Sequence, residues 1–234
     1  MTRRQELGAA LAALEERVSA ACLAAARPRE DVRVVAVSKT HPVSDVALMH
    51  DLGVRDLGEN RDQEAAAKAA QADLAGLTDL RWHVVGQVQT NKARSVASYA
   101  SVVHSLDRER LATALGRAAA DEGRVLDVLV QVSLDGDPGR GGAAVDDVPG
   151  LGDAAAATPG LRLAGVMAVA PLGADPRAAF DRLAEVADRL RTCHPDAREV
   201  SAGMSGDLEA AVAAGATLLR VGTALFGARP PLLR

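Results

Sequence analysis

The feature that most constrains this chain is an alternation of two kinds of segment. Eight short apolar runs, mostly β-branched, are separated by stretches with helical character. The runs cover 32–37, 54–57, 82–85, 101–105, 125–132, 161–169, 199–200 with its neighbours, and 217–221. The helical stretches cover 43–52, 61–75, 92–97, 108–122, 146–157, 176–193 and 206–214, and a further helix near 3–26 precedes the first strand. Strands that alternate with helices imply right-handed βαβ crossovers and a parallel sheet. Nearly continuous apolar strands mean that the outer face of the sheet is covered. Eight repeats of the unit favour closure into a (β/α)8 TIM barrel of the α/β class, with an extra N-terminal helix. A doubly wound open sheet is the alternative. The seventh run, Arg198-Glu199-Val200-Ser201, is the least hydrophobic.

A length of 234 residues suits one such domain over 1–234. No Pro/Gly/Ser linker divides the chain. The loosest stretch, 134–142, follows strand five and is expected to form a mobile loop on the C-terminal rim. Aromatics make up only 2% of the residues, so the core must be Ala, Val and Leu. The net charge is −4 with dispersed Lys and Arg, which disfavours nucleic acid. A small anionic ligand needs only one or two local positive groups and stays open. No apolar window is long enough to cross a membrane, and the charged N-terminus does not resemble a signal peptide. Cys22 and Cys193 are far apart and lack metal spacing, so free thiols in a reducing cytoplasm are expected.

In a parallel barrel, chemistry gathers where strands end and βα loops begin. The turn from Ser201 to Gly206 leads directly into a helix, and Gly222-Thr223 is a second small-residue turn. Loops seven and eight are the usual phosphate position of this fold. The bland alternative is an ordinary helix start capped by Ser205. Lys39 follows Val34-Val35-Ala36-Val37 and Ser38, so it sits near the barrel mouth. Desolvation and neighbouring groups would make it a carbonyl-reactive amine. The alternative is a rim lysine ion-paired with Glu59 or Asp56. A reactive amine and a phosphate cradle on one rim describe a site for a phosphorylated aldehyde. Pyridoxal 5′-phosphate (PLP) fits, and so does a sugar-phosphate aldolase substrate. Positions 135–146 mimic a calcium loop at their ends but carry Arg140 where Gly is required. The glycines at 150–152 do not follow a strand, so they make no dinucleotide site. His41, His50, His104 and His194 have no metal spacing.

Several motifs in order carry a resemblance. They are Val35-Ala36-Val37-Ser38-Lys39-Thr40, Gly58-Glu59-Asn60, Trp82-His83, Gln89-Thr90-Asn91-Lys92, Leu163-Ala164-Gly165-Val166-Met167, Ser201-Ala202-Gly203-Met204-Ser205-Gly206-Asp207 and Arg220-Val221-Gly222-Thr223. Together they resemble the pyridoxal phosphate homeostasis protein family, whose fold is similar to the barrel domain of alanine racemase. The resemblance runs from about residue 7 to residue 229. It implies PLP held as a Schiff base on Lys39, with Asn60 beside the phenolic side of the ring. Ser201, Met204, Ser205, Gly222 and Thr223 would surround the phosphate, and Arg220 would face the pyridine nitrogen. His83 would line the barrel near the ring, or else be a packed interior histidine. Ala202 stands where the family often has Met, and Ser133 where it often has Asn.

The expected role is a carrier or regulator in intracellular PLP homeostasis, without catalysis of its own. Its partners would be PLP and, as recipients, PLP-dependent apo-enzymes; a monomer is expected. A racemase-like PLP enzyme acting on amino acids is the alternative. Racemisation needs a second acid/base on the ring face opposite the lysine. The only tyrosine, Tyr99, falls in a surface helix before strand four.

Overall fold

The computed structural model describes residues 1–227. The chain opens with helix α1 (Arg3–Ala24), started by a capping box in which Thr2 Oγ1 accepts the Gln5 N–H and the Gln5 side chain accepts the Thr2 N–H. Eight strand–helix units follow. They are β1 (Arg33–Val37) with α2 (Val43–Asp51), β2 (Asp56–Glu59) with α3 (Asp62–Leu74), β3 (Arg81–Val84) with α4 (Ala93–Tyr99), and β4 (Val102–Leu106) with α5 (Glu109–Asp121). The second half has β5 (Leu126–Gln131) with α6 (Val148–Ala157), β6 (Leu161–Met167) with α7 (Pro176–Cys193), β7 (Glu199–Ser201) with α8 (Leu208–Ala213), and β8 (Leu218–Val221) with α9 (Thr223–Phe226).

All strands are parallel, and β8 returns to β1 through Arg33↔Leu218 to Ala36↔Val221, so the sheet is a closed barrel. This excludes the open doubly wound alternative. Strand seven forms despite its poor hydrophobicity, because Val200 and Ser201 are buried between neighbouring strands. Inside the barrel, Val35, Val102, Leu129, Met167 and Leu218 pack together. Outside it, helix faces rich in Ala meet the strands, as the shortage of aromatics requires.

Helix α1 buries Leu7, Leu14, Val18, Ala21 and Cys22, a stripe at helical spacing. Polar ties hold it across the closing seam. Arg17 binds Glu209 and the Ser205 carbonyl, while Arg3 binds Asp45 and the Phe226 carbonyl. Cys22 is buried and Cys193 exposed, and both are free thiols. No helix among the described residues is long and apolar enough to cross a membrane.

The 134–142 stretch forms a loop after β5, as expected, and it is tied to its surroundings. It contains a 3-10 turn at Pro138–Arg140, Val132 bridges Ala143, and Arg140 bonds Asp135 and the Val169 and Ala170 carbonyls. The helix read over 206–214 is shorter, Leu208–Ala213, because residues 205–207 form a turn before it. The final residues of the expected 1–234 domain lie outside the described residues.

Candidate functional site

The C-terminal mouth of the barrel holds a cavity of about 410 Å³. Lys39, Asn60, Met204, Ser205, Arg220, Gly222 and Thr223 line it, together with His41 and the valines at 37, 85 and 169. Seven of the nine residues singled out in the sequence thus meet around one space. Such a volume falls within the range of about 300–1,000 Å³ typical of small-molecule clefts.

Lys39 is half-buried in the turn that ends β1. The turn is pinned from several sides. Ser38 N–H donates to the Gly58 carbonyl at 2.9 Å, and His41 N–H donates to Ser38 O at 3.0 Å. Lys68, buried in α3, donates to Ser38 O at 2.9 Å, to Glu64 Oε1 at 3.1 Å, and to Glu59 Oε1 in a short contact. Ser38 Oγ donates to the same Glu59 oxygen at 2.6 Å, and Thr40 N–H donates to Glu64. Thr40 adopts φ +69°, a costly conformation for a β-branched residue, and this network holds it there. Burial pushes the Glu59 carboxyl up, with Lys68 opposing. Glu59 Oε2 is the one buried side-chain N or O without a hydrogen-bond partner among the described residues. Of the two carboxylates that the sequence left as partners for Lys39, Glu59 pairs with Lys68 and Asp56 meets His83. Lys68 is a residue the sequence reading missed.

The opposite wall comes from loops seven and eight. Gly203 has φ +84°, and a Cβ there would lie 2.5 Å from Ala211 Cβ, so only glycine lets the loop turn this tightly over α8. Asp207 accepts the Met204 N–H at 2.6 Å, and Ala224 N–H donates to Ser205 Oγ at 3.3 Å, joining the two loops. Ser205 therefore ties loop seven to loop eight rather than capping α8, whose N-cap is Asp207. On the β2–β3 side, a Cβ on Gly86 would lie 2.1 Å from the Asn60 carbonyl oxygen, so Gly86 allows Asn60 its place on the rim.

Arg220 sits at the cavity floor, 5% exposed. Its Nη1 donates to Ser201 Oγ at 2.5 Å and its Nη2 to Ala168 O at 2.8 Å. Burial lowers its pKa to about 10, so it remains a cation at neutral pH. Ser201 and His83 are not among the lining residues. Ser201 is fully buried, and its hydroxyl is engaged by Arg220 and by His104 Nδ1 at 2.8 Å. His83 lies deeper, between His104 Nε2 at 2.9 Å and Asp56 Oδ1 at 2.8 Å. It lines a second cavity, of about 590 Å³, at the other end of the barrel. Ser201 differs from its expected place beside the phosphate turns, and His83 takes the second of its two readings, a packed interior histidine; both side chains point into the barrel interior rather than up to its mouth.

His41 was missed as a site residue. It lines the mouth, stacks on Phe226 with ring centroids 5.0 Å apart, and has Nδ1 3.6 Å from Asp45. Burial lowers its pKa. The signal for it was its place two residues after Lys39. Tyr99 stays in α4, its hydroxyl donating to Asp62 Oδ1 at 3.4 Å, away from the cavity.

A barrel whose mouth brings together a strand-one lysine, a strand-eight arginine and small turns after strands seven and eight defines a class, and comparison with known proteins agrees with it. Residues 10–230 match the family described as alanine racemase, N-terminal domain. A protein of Mycobacterium bovis named pyridoxal phosphate homeostasis protein is 45% identical, over 97% of this chain and 94% of its own length. One of the same name from Escherichia coli strain K12 is 38% identical, over 94% of this chain and 95% of its own. The structure of PipY from Synechococcus elongatus with PLP bound superposes with a TM-score of 0.83 at 36% identity, covering 94% of this chain and all of that one. The chain belongs to the pyridoxal phosphate homeostasis protein family, within the alanine racemase N-terminal domain class.

Proposed function

We propose that this chain binds PLP in the upper cavity, attached through Lys39, and serves in intracellular PLP homeostasis as a carrier or regulator. One observation carries the reading: Lys39, Arg220 and the paired turns of loops seven and eight share one cavity of cofactor size. The residues fit the group. The Ser205 and Thr223 hydroxyls and the close Gly222 backbone, where a Cβ would lie 3.2 Å from Val37 O, suit a phosphate. PLP, when bound, supplies an aldehyde for the lysine amine and a ring able to take up electron density.

Each residue has a separate task. Lys39 offers its amine from a turn that Lys68 and Glu59 hold rigid. Arg220 presents a cation to the ring nitrogen, which disfavours a proton there and limits the ring as an electron sink. Asn60 flanks the ring edge. The whole chain acts as one barrel unit, and the open mouth suits exchange of cofactor with apo-enzymes. Turnover on amino acids is not part of this reading. Tyr99 is remote, and His41, though at the mouth, has its ring stacked on Phe226 and its Nδ1 toward Asp45.

The test is an absorbance spectrum of the PLP-loaded protein before and after borohydride. Lys39→Ala is expected to abolish both the visible band and the trapped adduct while circular dichroism is unchanged. An undiminished adduct on the variant moves the attachment to another lysine. Incubation with amino acids in deuterated water tests the absence of turnover: Lys39-dependent α-proton exchange at rates near those of enzymes would make this chain a catalyst.

A further inference from the structure

A column of polar side chains runs through the barrel interior, where such folds normally carry layers of branched apolar residues. Its members come from different strands: Asp56 from β2, His83 from β3, His104 from β4, Ser201 from β7 and Arg220 from β8. The consecutive contacts are 2.8, 2.9, 2.8 and 2.5 Å. His83 is 1% exposed, and His104 and Ser201 are fully buried. The lower cavity opens on His83 and the upper on Arg220, so the column joins the two ends of the barrel.

The donors and acceptors can be assigned without seeing a hydrogen. Arg220 has only donors, so Ser201 Oγ must accept from it. Asp56 as a carboxylate has only acceptors, so His83 Nε2 must carry a proton. With both rings neutral, one arrangement satisfies every contact. Ser201 donates to His104 Nδ1, His104 Nε2–H donates to His83 Nδ1, and His83 Nε2–H donates to Asp56. Burial holds both histidines below their ordinary value, which supports neutral rings. Of the four arginines at the lower cavity, Arg33 pairs with Glu199, Arg81 with Asp56 and Asp127, and Arg162 with Asp127, while Arg198 donates to the Pro195 carbonyl. Placing a second proton on His83 would set its Nδ1–H against His104 Nε2–H and break the order.

We propose that Asp56, His83, His104 and Ser201 are positioning residues for Arg220: a hydrogen-bonded column with one direction, which orients the guanidinium and couples it to the lower end of the barrel. The structural part of this inference stands without a ligand. Its consequence for PLP rests on the reading above, since Arg220 is the group offered to the ring nitrogen. A merely space-filling role for these residues would be satisfied by either tautomer and by apolar isosteres. The one-way order would not.

Long-range proton–nitrogen spectra of the unloaded, histidine-labelled protein at pH 8 read the tautomers directly. Neutral Nε2–H rings at both His83 and His104 are expected, and an Nδ1–H tautomer at either overturns the order. Coupling is read by perturbing one end and observing the other. Asp56→Asn is expected to shift the Arg220 side-chain resonances in the wild-type background and to leave them unmoved in a Ser201→Ala background. The same shift in both backgrounds, or none in either, overturns the coupling. In the PLP-loaded protein the visible band should follow the same pattern. A band that ignores Asp56→Asn while the Arg220 resonances respond places the cofactor away from Arg220, which counts against the proposed function and leaves the column intact.

Discussion

Lys68 is the residue on which the lysine-bearing turn depends. It is 6% exposed, and it meets Glu59, Glu64 and the Ser38 carbonyl within one small space. Removing one partner of a buried ion pair leaves an uncompensated charge, which costs about 3–5 kcal/mol, whereas replacing both partners by apolar groups is often close to neutral. Lys68→Met is therefore expected to lower the unfolding free energy by about 3–5 kcal/mol in urea. The Lys68→Met, Glu59→Leu double variant should recover most of that loss. Equal losses in the single and double variants would show that the pair acts through something other than charge. The motif containing Glu59 was legible from the sequence; its partner was not. Lys68 lies on the following helix, and only the docking of α3 against β2 brings its ammonium beneath the turn.

At the scale of elements, the site is made by strand ends that approach one another more closely than side chains would allow. Gly86 shows this at the rim. A methyl group placed there would meet the Asn60 backbone at 2.1 Å, so either β3 or the Asn60 turn must move. Gly86→Ala is expected to cost about 1–3 kcal/mol as an overpacked position. It should also weaken PLP binding by moving Asn60; unchanged stability and affinity together would show that the rim is soft. Loops seven and eight make a second prediction at this scale. If they hold the phosphate, pyridoxal lacking it should lose several charge-assisted hydrogen bonds worth about 1.5–3 kcal/mol each. Comparable Kd values for PLP and pyridoxal in a fluorescence titration would place the anion site elsewhere.

Across the whole molecule, the barrel keeps three histidines out of water. His41, His83 and His104 all have pKa values lowered chiefly by burial. The folded state thus favours their neutral forms, while the unfolded chain protonates them near the ordinary value of 6.5. Their contribution is present above that value and is lost as the pH falls below it, because the unfolded state then binds more protons. Each histidine that stays neutral makes stability fall by about 1.4 kcal/mol per pH unit. Urea midpoints should therefore drop steeply from pH 7 to pH 5.5, and the slope should lessen in a His104→Phe variant that retains its fold. A midpoint independent of pH over that range would mean that the buried rings titrate as they do in the unfolded chain, and one that rises on acidification would mean that they are held charged; either outcome runs against the neutral, one-way column.

The sequence by itself determined the architecture and most of the lining of the mouth cavity. Strand and helix periodicities are local, and eight of them in alternation leave few ways to close a parallel sheet. The ends of those strands then place Lys39, Asn60, Met204, Ser205, Arg220, Gly222 and Thr223 on one rim, whatever the details of packing. The tertiary structure alone decided which side chains point up to the mouth and which point into the barrel. His83 and Ser201 sit on strands next to site residues, yet the stagger of the closed sheet turns both inward, toward His104. The pairing of Glu59 with Lys68, nine residues on, needs α3 docked against β2, while the anchoring of the 134–142 loop on the Val169 carbonyl and the polar column itself join residues far apart in the chain. Their contacts depend on barrel closure and register, and no local pattern of residues encodes those.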